Sequence, residues 1–166
     1  MIRLKILLLG MVLVISCCKL YSQLAENVQA PLIVRTIALY NNISLVDGGV
    51  SIHVVDNPSL VEELKKGIGQ AIGSSTLKAV TSGGMPTTKP SVIYVSKESN
   101  VAEVIAYSQA NKILSVTGNP DLITKGVCLG FGVEDNKPKI LLNLSSTRDE
   151  GIDWNPAILR IATRID

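Results

Sequence analysis

Apolar positions along this chain come in short blocks whose period alternates between two and three to four residues, and the alternation repeats through most of its length. Val50-Ser-Ile-His-Val-Val55, Leu77 to Val80, Ser91 to Val95 and Ile113 to Val116 are short, rich in β-branched residues and bounded by turn formers, and read as buried strands. Ahead of the first strand, Ile33, Ile37, Tyr40 and Ile43 recur at helical spacing after Pro31, a residue suited to a helix start, so Pro31 to Ile43 reads as an amphipathic helix. A second helix begins at Asn57 or Ser59, with Pro58 in its first turn and Leu60, Val61, Leu64, Ile68 and Ile72 along one side. A third spans Val101 to Ala110 and turns Val101, Val104, Ile105 and Ser108 inward. Asp121 to Lys125 gives one or two helical turns. Val127 to Val133 and Lys139 to Leu144 then bracket Glu134 to Pro138 as an antiparallel hairpin, and a last helix from Asn155-Pro156 turns Ile158, Leu159, Ala162 and Ile165 inward.

Strands separated by helical segments imply right-handed crossovers and a sheet covered on both faces. The expected fold is therefore α/β, a three-layer sandwich with a mostly parallel sheet, helices on both faces and a C-terminal antiparallel hairpin. No internal repeat or low-complexity linker divides it.

Residues 1–22 follow another logic. Arg3 and Lys5 precede an apolar run from Ile6 to Cys18 and a short polar stretch ending at Ser22, the layout of an export signal. About thirteen apolar residues are too few to span a bilayer, which needs roughly twenty. Cleavage after Ser22 would release a soluble exported chain, residues 23–166, and is the favoured route. Val14-Ile-Ser-Cys17 also fits a lipoprotein box, in which acylated Cys17 would tether the protein to a membrane. Removing residues 1–22 takes away Arg3, Lys5 and Lys19, leaving 13 of the 16 basic side chains against 14 acidic ones. That balance, with no basic cluster, lacks the electrostatic footprint of a nucleic-acid binder. A remaining chain of about 144 residues is an ordinary length for one domain. Cys17 and Cys18 lie in the leader, so Cys128 is left without an internal disulfide partner and reads as a buried strand residue.

Candidate chemistry is sparse. Gly67-Ile-Gly69-Gln-Ala-Ile-Gly73 has the wrong spacing for a dinucleotide fingerprint and falls late in the second predicted helix, where packing and helix termination explain it. His53, the only histidine, lies mid-strand among apolar neighbours and reads as a satisfied structural residue, since a metal site recruits further ligands. No catalytic, cofactor-binding or metal-ligating set emerges, and neither an enzyme activity nor a cofactor is expected. Asp135, Asp149, Glu150 and Asp153 fit solvated turns and a helix start, with Asp153 or Asn155 as a cap. Ligands of open parallel sheets bind beyond the carboxyl ends of the strands. Asp56, Asn57, Ser82, Gly83, Gly118 and Asn119 are placed there and form candidate ligand loops, with turn and cap formation as the competing reading. Trp154, the only tryptophan, reads as a lid over the core in preference to a partner anchor.

Ile113-Leu-Ser-Val-Thr-Gly-Asn119, Lys125-Gly126, Asn136-Lys-Pro-Lys-Ile140 with Leu142-Asn-Leu144, and Leu159-Arg-Ile-Ala162 together resemble the YfiR-like family of bacterial periplasmic proteins. The likeness extends over nearly the whole exported chain and is specific from Ile113 onward. It implies a non-enzymatic regulator that binds the periplasmic part of a membrane diguanylate cyclase or sensor kinase, restraining cyclic-di-GMP output and biofilm formation. The first helix here, Thr36-Ile-Ala-Leu-Tyr-Asn-Asn-Ile43, lacks the family's Phe-rich segment ending in Trp-Pro, and the disulfides of redox-sensing members are missing. A partner-binding role requires an exposed apolar patch, for which Leu32, Val34, Ile37 and Tyr40 are the candidates. The alternative function is periplasmic binding of a small ligand in the strand-end loops.

Overall fold

The computed structural model describes residues 22–165. Helix α1 (Glu26–Ile37) leads into β1 (Val50–Val55), α2 (Pro58–Lys65), the short β2 (Ala71–Ile72), β3 (Ser75–Gly83), β4 (Val92–Val95), α3 (Glu98–Asn111) and β5 (Leu114–Thr117). A 3-10 turn at Pro120–Leu122 is followed by β6 (Leu129–Glu134), β7 (Lys137–Asn143), α4 (Leu144–Asp149), α5 (Ile158–Ile161) and β8 (Ala162–Ile165). The strands form one sheet in the order β2-β3-β1-β4-β5-β6-β7-β8. β3, β1, β4, β5 and β6 run parallel, and the β6–β7 hairpin is antiparallel, as expected.

Alternation along the central strands sends successive side chains to opposite layers. Ile52, Val54, Val92, Tyr94, Leu114, Val116 and Phe131 pack beneath Ile33, Ile37, Leu60 and Leu64 of α1 and α2. Val55, Ile93, Val95 and Leu141 face Val101 and Val104 of α3 together with Leu122 and Ile123. At Gly130 on that second face, an added Cβ would lie 2.4 Å from Ile123 Cδ1, so glycine makes room for the isoleucine.

Several boundaries differ from the sequence reading. The first helix spans Glu26–Ile37, with Glu26 favoured in its first turn by the helix dipole, so Pro31 lies inside it. It stops before Tyr40 because the next residues pair with a distant segment: Asn41 N donates to Asp153 O and Asn155 N to Leu39 O, each at 2.8 Å. The second helix ends at Lys65, so the glycines are not inside it. Gly69 (φ +91°) turns the chain, Gly73 (φ +59°) closes the β2–β3 hairpin, and Ile68 is exposed while Ile72 is buried on β2. The last predicted helix yields one turn, α5, and then β8. Ile161, Thr163 and Ile165 also alternate as a strand, and pairing from Ile140↔Ala162 to Asn143↔Ile165 decides the outcome, leaving Leu159 exposed. The hairpin turn is tighter than expected, with only Asp135 and Asn136 between paired Glu134 and Lys137, both at the positive φ that a two-residue primed turn requires.

Residues 1–21, which hold Cys17 and all of the expected 1–22 leader except Ser22, lie outside the described residues. Where the described chain begins, Ser22 is already paired to the sheet. Val133 faces Pro138, which has no N–H, and directs its own N–H and C=O to the opposite edge, where Ser22 takes both at 2.9 and 3.2 Å.

Candidate functional site

The strand ends that the sequence nominates do converge, but their polar groups are engaged with one another. Tyr94, near the end of β4, donates from its hydroxyl to Gln29 Oε1 of α1 at 2.8 Å and accepts from Gly118 N at 3.1 Å. Burial pushes the Tyr94 phenol well above its ordinary value. A Cβ on Gly118 would fall 1.8 Å from Gln29 Nε2 and 2.6 Å from the Tyr94 hydroxyl, so only glycine lets α1 close over this end of the sheet. Asn57 caps α2 by accepting from Leu60 N at 3.1 Å, and Asn119 accepts from Asp121 N at 3.2 Å. Asp56, in a left-handed conformation at φ +51°, accepts from Asn100 Nδ2 at 2.9 Å. Ser82 and Gly83 are exposed at the end of β3.

His53 is buried and fully engaged. Its Nε2 lies 2.7 Å from Gly84 O and its Nδ1 2.8 Å from Thr81 Oγ1. Because a carbonyl only accepts, Nε2 carries the proton and Nδ1 accepts from the threonine hydroxyl. Among the described residues no group of His, Cys, Asp and Glu is arranged to hold a metal ion.

The expected partner patch on α1 needs correction. Val34, Ile37 and Tyr40 are 4%, 0% and 4% exposed, because their helical face packs on the sheet, and Leu32 is half-buried against the same core. What remains open nearby is a groove of about 260 Å³ between the end of α1 and the β2–β3 hairpin, bordered by Ile37, Tyr40, Ile43, Leu45, Ile72 and Ser75. Leu45 on its rim is about half exposed.

A feature that sequence reasoning missed lies under the opposite ends of the strands. Glu150, expected in a solvated loop, is fully buried. Its Oε2 accepts from Ser115 N at 3.0 Å and its Oε1 from the Ser115 hydroxyl, while Ser115 Oγ accepts from Cys128 N at 2.9 Å. Burial is the main cause that raises its carboxyl to about 7. The Cys128 thiol is driven up by burial and then by Glu150, and the Tyr40 phenol is pushed up to about 12 by the same two causes. Trp154 covers this cluster as the lid reading expected, its ring 5.8 Å from that of Tyr40. Asn143 caps α4 by accepting from Ser146 N at 2.9 Å, and that helix carries Glu150 inward at its end, but the donors that meet it come from Ser115, far away in sequence.

Fold and strand ends together define an α/β domain with a mostly parallel sheet, an antiparallel C-terminal hairpin and strand-end polar groups that are largely engaged in internal hydrogen bonds. The chain belongs to the YfiR/HmsC-like family, whose model matches residues 32–163. That family is known for periplasmic regulation of signalling. A crystal structure of a conserved domain protein from Vibrio cholerae O1 biovar El Tor strain N16961 is similar in fold, with a TM-score of 0.56 and 18% identity. The similarity covers 85% of this chain and 60% of that one. No curated protein matches the chain. Among the described residues no helix is long and apolar enough to cross a membrane.

Proposed function

We propose that this protein is an exported, non-enzymatic regulatory subunit that binds the periplasmic part of a membrane signalling protein, a diguanylate cyclase or a sensor kinase. Membership of the YfiR/HmsC-like family across residues 32–163 carries this reading. The contact is assigned to the groove rim at Ile43 and Leu45, since the buried side of α1 is not available to a partner. Tagged protein incubated with solubilised envelope should recover a membrane signalling protein, and Leu45→Asp should abolish the recovery without changing the melting temperature. Recovery of no cyclase or kinase at any ionic strength counts against the reading.

The groove also favours a second reading, small-ligand binding, because 260 Å³ approaches the size of a modest organic ligand. The loops at Asp56, Asn57, Ser82, Gly83, Gly118 and Asn119 remain its other candidate surface, in competition with the internal bonds several of them make. A ligand bound only by the folded state raises the melting temperature. A thermal-shift screen of nucleotides, sugars and peptidoglycan fragments separates the two readings.

Attachment follows from the same frame. The Ser22–Val133 bridge is kept if the leader is removed at Cys17 and lost if cleavage follows Ser22, which favours the lipid-anchored form over the soluble one.

A further inference from the structure

Immediately after α4, residues 150–155 cross the fold and dock on residues 39–42. The docking rests on hydrogen bonds that water can contest. Besides the two backbone bonds, Asn41 Nδ2 donates to Asp153 Oδ2 at 3.3 Å, Asn42 Nδ2 to Gly151 O at 3.2 Å, and Asp153 N to Asn42 Oδ1 at 2.8 Å, all three exposed. Beneath this crossing Ile152 is held in the core, Trp154 lies against Tyr40, and the indole N–H of Trp154 is buried with no hydrogen-bond partner. The root of the segment is Glu150, whose carboxyl accepts from the Ser115 amide and hydroxyl and lies against the Cys128 thiol, all of them uncharged groups. No ion pair formed among the described residues includes it.

We infer that residues 150–155 form a proton-controlled strap, closed over Tyr40 while the Glu150 side chain is neutral and loosened when it ionises. The groups facing Glu150 offer no positive charge. From the segment after α1 comes Tyr40, from the lead-in to β6 Cys128, from β5 Ser115, and from α4 Asp149, whose charge further disfavours a second anion. Lys112 at the end of α3 donates from Nζ to Asp149 O at 2.7 Å and not to the Glu150 carboxyl, and Arg148 and Asp153 sit on exposed faces. Ionisation therefore places an uncompensated charge in an apolar setting, and the way to hydrate it is to lift the strap.

The direction follows by linkage. The closed state holds its proton up to about 7, while an opened Glu150 releases it near 4.5. Closure is full below about 4.5, weakens about tenfold per pH unit as pH rises towards 7, and is flat above that. Over the window the closed-to-open ratio falls by roughly two orders of magnitude.

Trp154, the only tryptophan, lies in the strap and reports its position. With the exported, processed protein, its emission should shift to the red as pH rises from about 4.5 to about 7 and stay constant above that, and exchange at the Asn41, Asp153 and Asn155 amides should rise over the same interval beyond the intrinsic pH effect. Glu150→Gln, which keeps an acceptor for Ser115 and cannot ionise, should remove both changes. If that variant fails to fold, carboxyl-labelled wild-type protein gives the same test, with a buried glutamate titrating near 7. An emission spectrum constant over this range, a transition that survives in the variant, or titration of every glutamate below 5 overturns the strap.

Discussion

Gly118→Ala probes the contact that closes the strand ends. The new methyl would fall 1.8 Å from Gln29 Nε2, 2.6 Å from its Cδ and 2.6 Å from the Tyr94 hydroxyl, and Gln29 is only 2% exposed, so its amide has little room to withdraw. Overpacking of this kind costs about 1–3 kcal/mol. Expelling the amide also breaks the 2.8 Å bond from Tyr94, a further loss of about 1 kcal/mol. At roughly 2–4 °C per kcal/mol for a domain of this size, the melting temperature should drop by roughly 4–16 °C. Gln29→Ala alone should cost about 1–3 kcal/mol, because the Tyr94 hydroxyl loses its acceptor. The informative quantity is the double variant. Once the glutamine side chain is gone, most of the crowding goes with it, so urea unfolding should show a total at least about 1 kcal/mol below the sum of the singles. Strict additivity would mean that the alanine is tolerated without touching Gln29, and that α1 is not what closes this end of the sheet.

Other consequences are simpler to check. Intact-mass analysis of the processed protein should show an N-terminus upstream of Ser22, carrying lipid mass on Cys17; a soluble product starting at Gln23 would show that the bridge to Val133 is dispensable. Alkaline stability should fall from about pH 10, where an unfolded tyrosine ionises, up to about 12, where Tyr40 ionises in the fold, because the unfolded chain releases its proton first. Tyr40→Phe should flatten part of that slope in a pH series of urea midpoints. Gly130→Ala should destabilise by about 1–3 kcal/mol through Ile123, and combined with Ile123→Ala, itself a costly core truncation, it should destabilise by less than the sum of the two single variants in urea unfolding.

How far the structure could be read in advance depended on whether local pattern and tertiary pairing agreed. Val50–Val55 is legible residue for residue because alternation, β-branching and burial on both faces all point to a strand. Ala162–Ile165 is not, since the same residues satisfy a helical spacing and only the neighbouring β7 selects the extended form. Pro31 misled in a related way, as its preference for a first turn is a tendency that packing of Ala30, Ile33 and Ile37 on the sheet overrides. At the strand ends, Asn57 and Asn119 are the caps their residue types suggest, while Ser82 and Gly83 still belong to β3 and the closure by Gln29 depends on a contact 65 positions away in sequence from Tyr94. Glu150 was illegible for the same reason. A carboxylate beside a glycine looks solvated until Ser115, 35 positions earlier, is seen to meet it.

Affinity capture tests the central claim most directly. Processed protein bearing a C-terminal tag, incubated with detergent-solubilised envelope and washed at low and moderate salt, should retain a membrane diguanylate cyclase or sensor kinase identified by mass spectrometry, and Leu45→Asp should lose it. Equal recovery with the variant, or a wild-type eluate with no membrane signalling protein, would contradict the account.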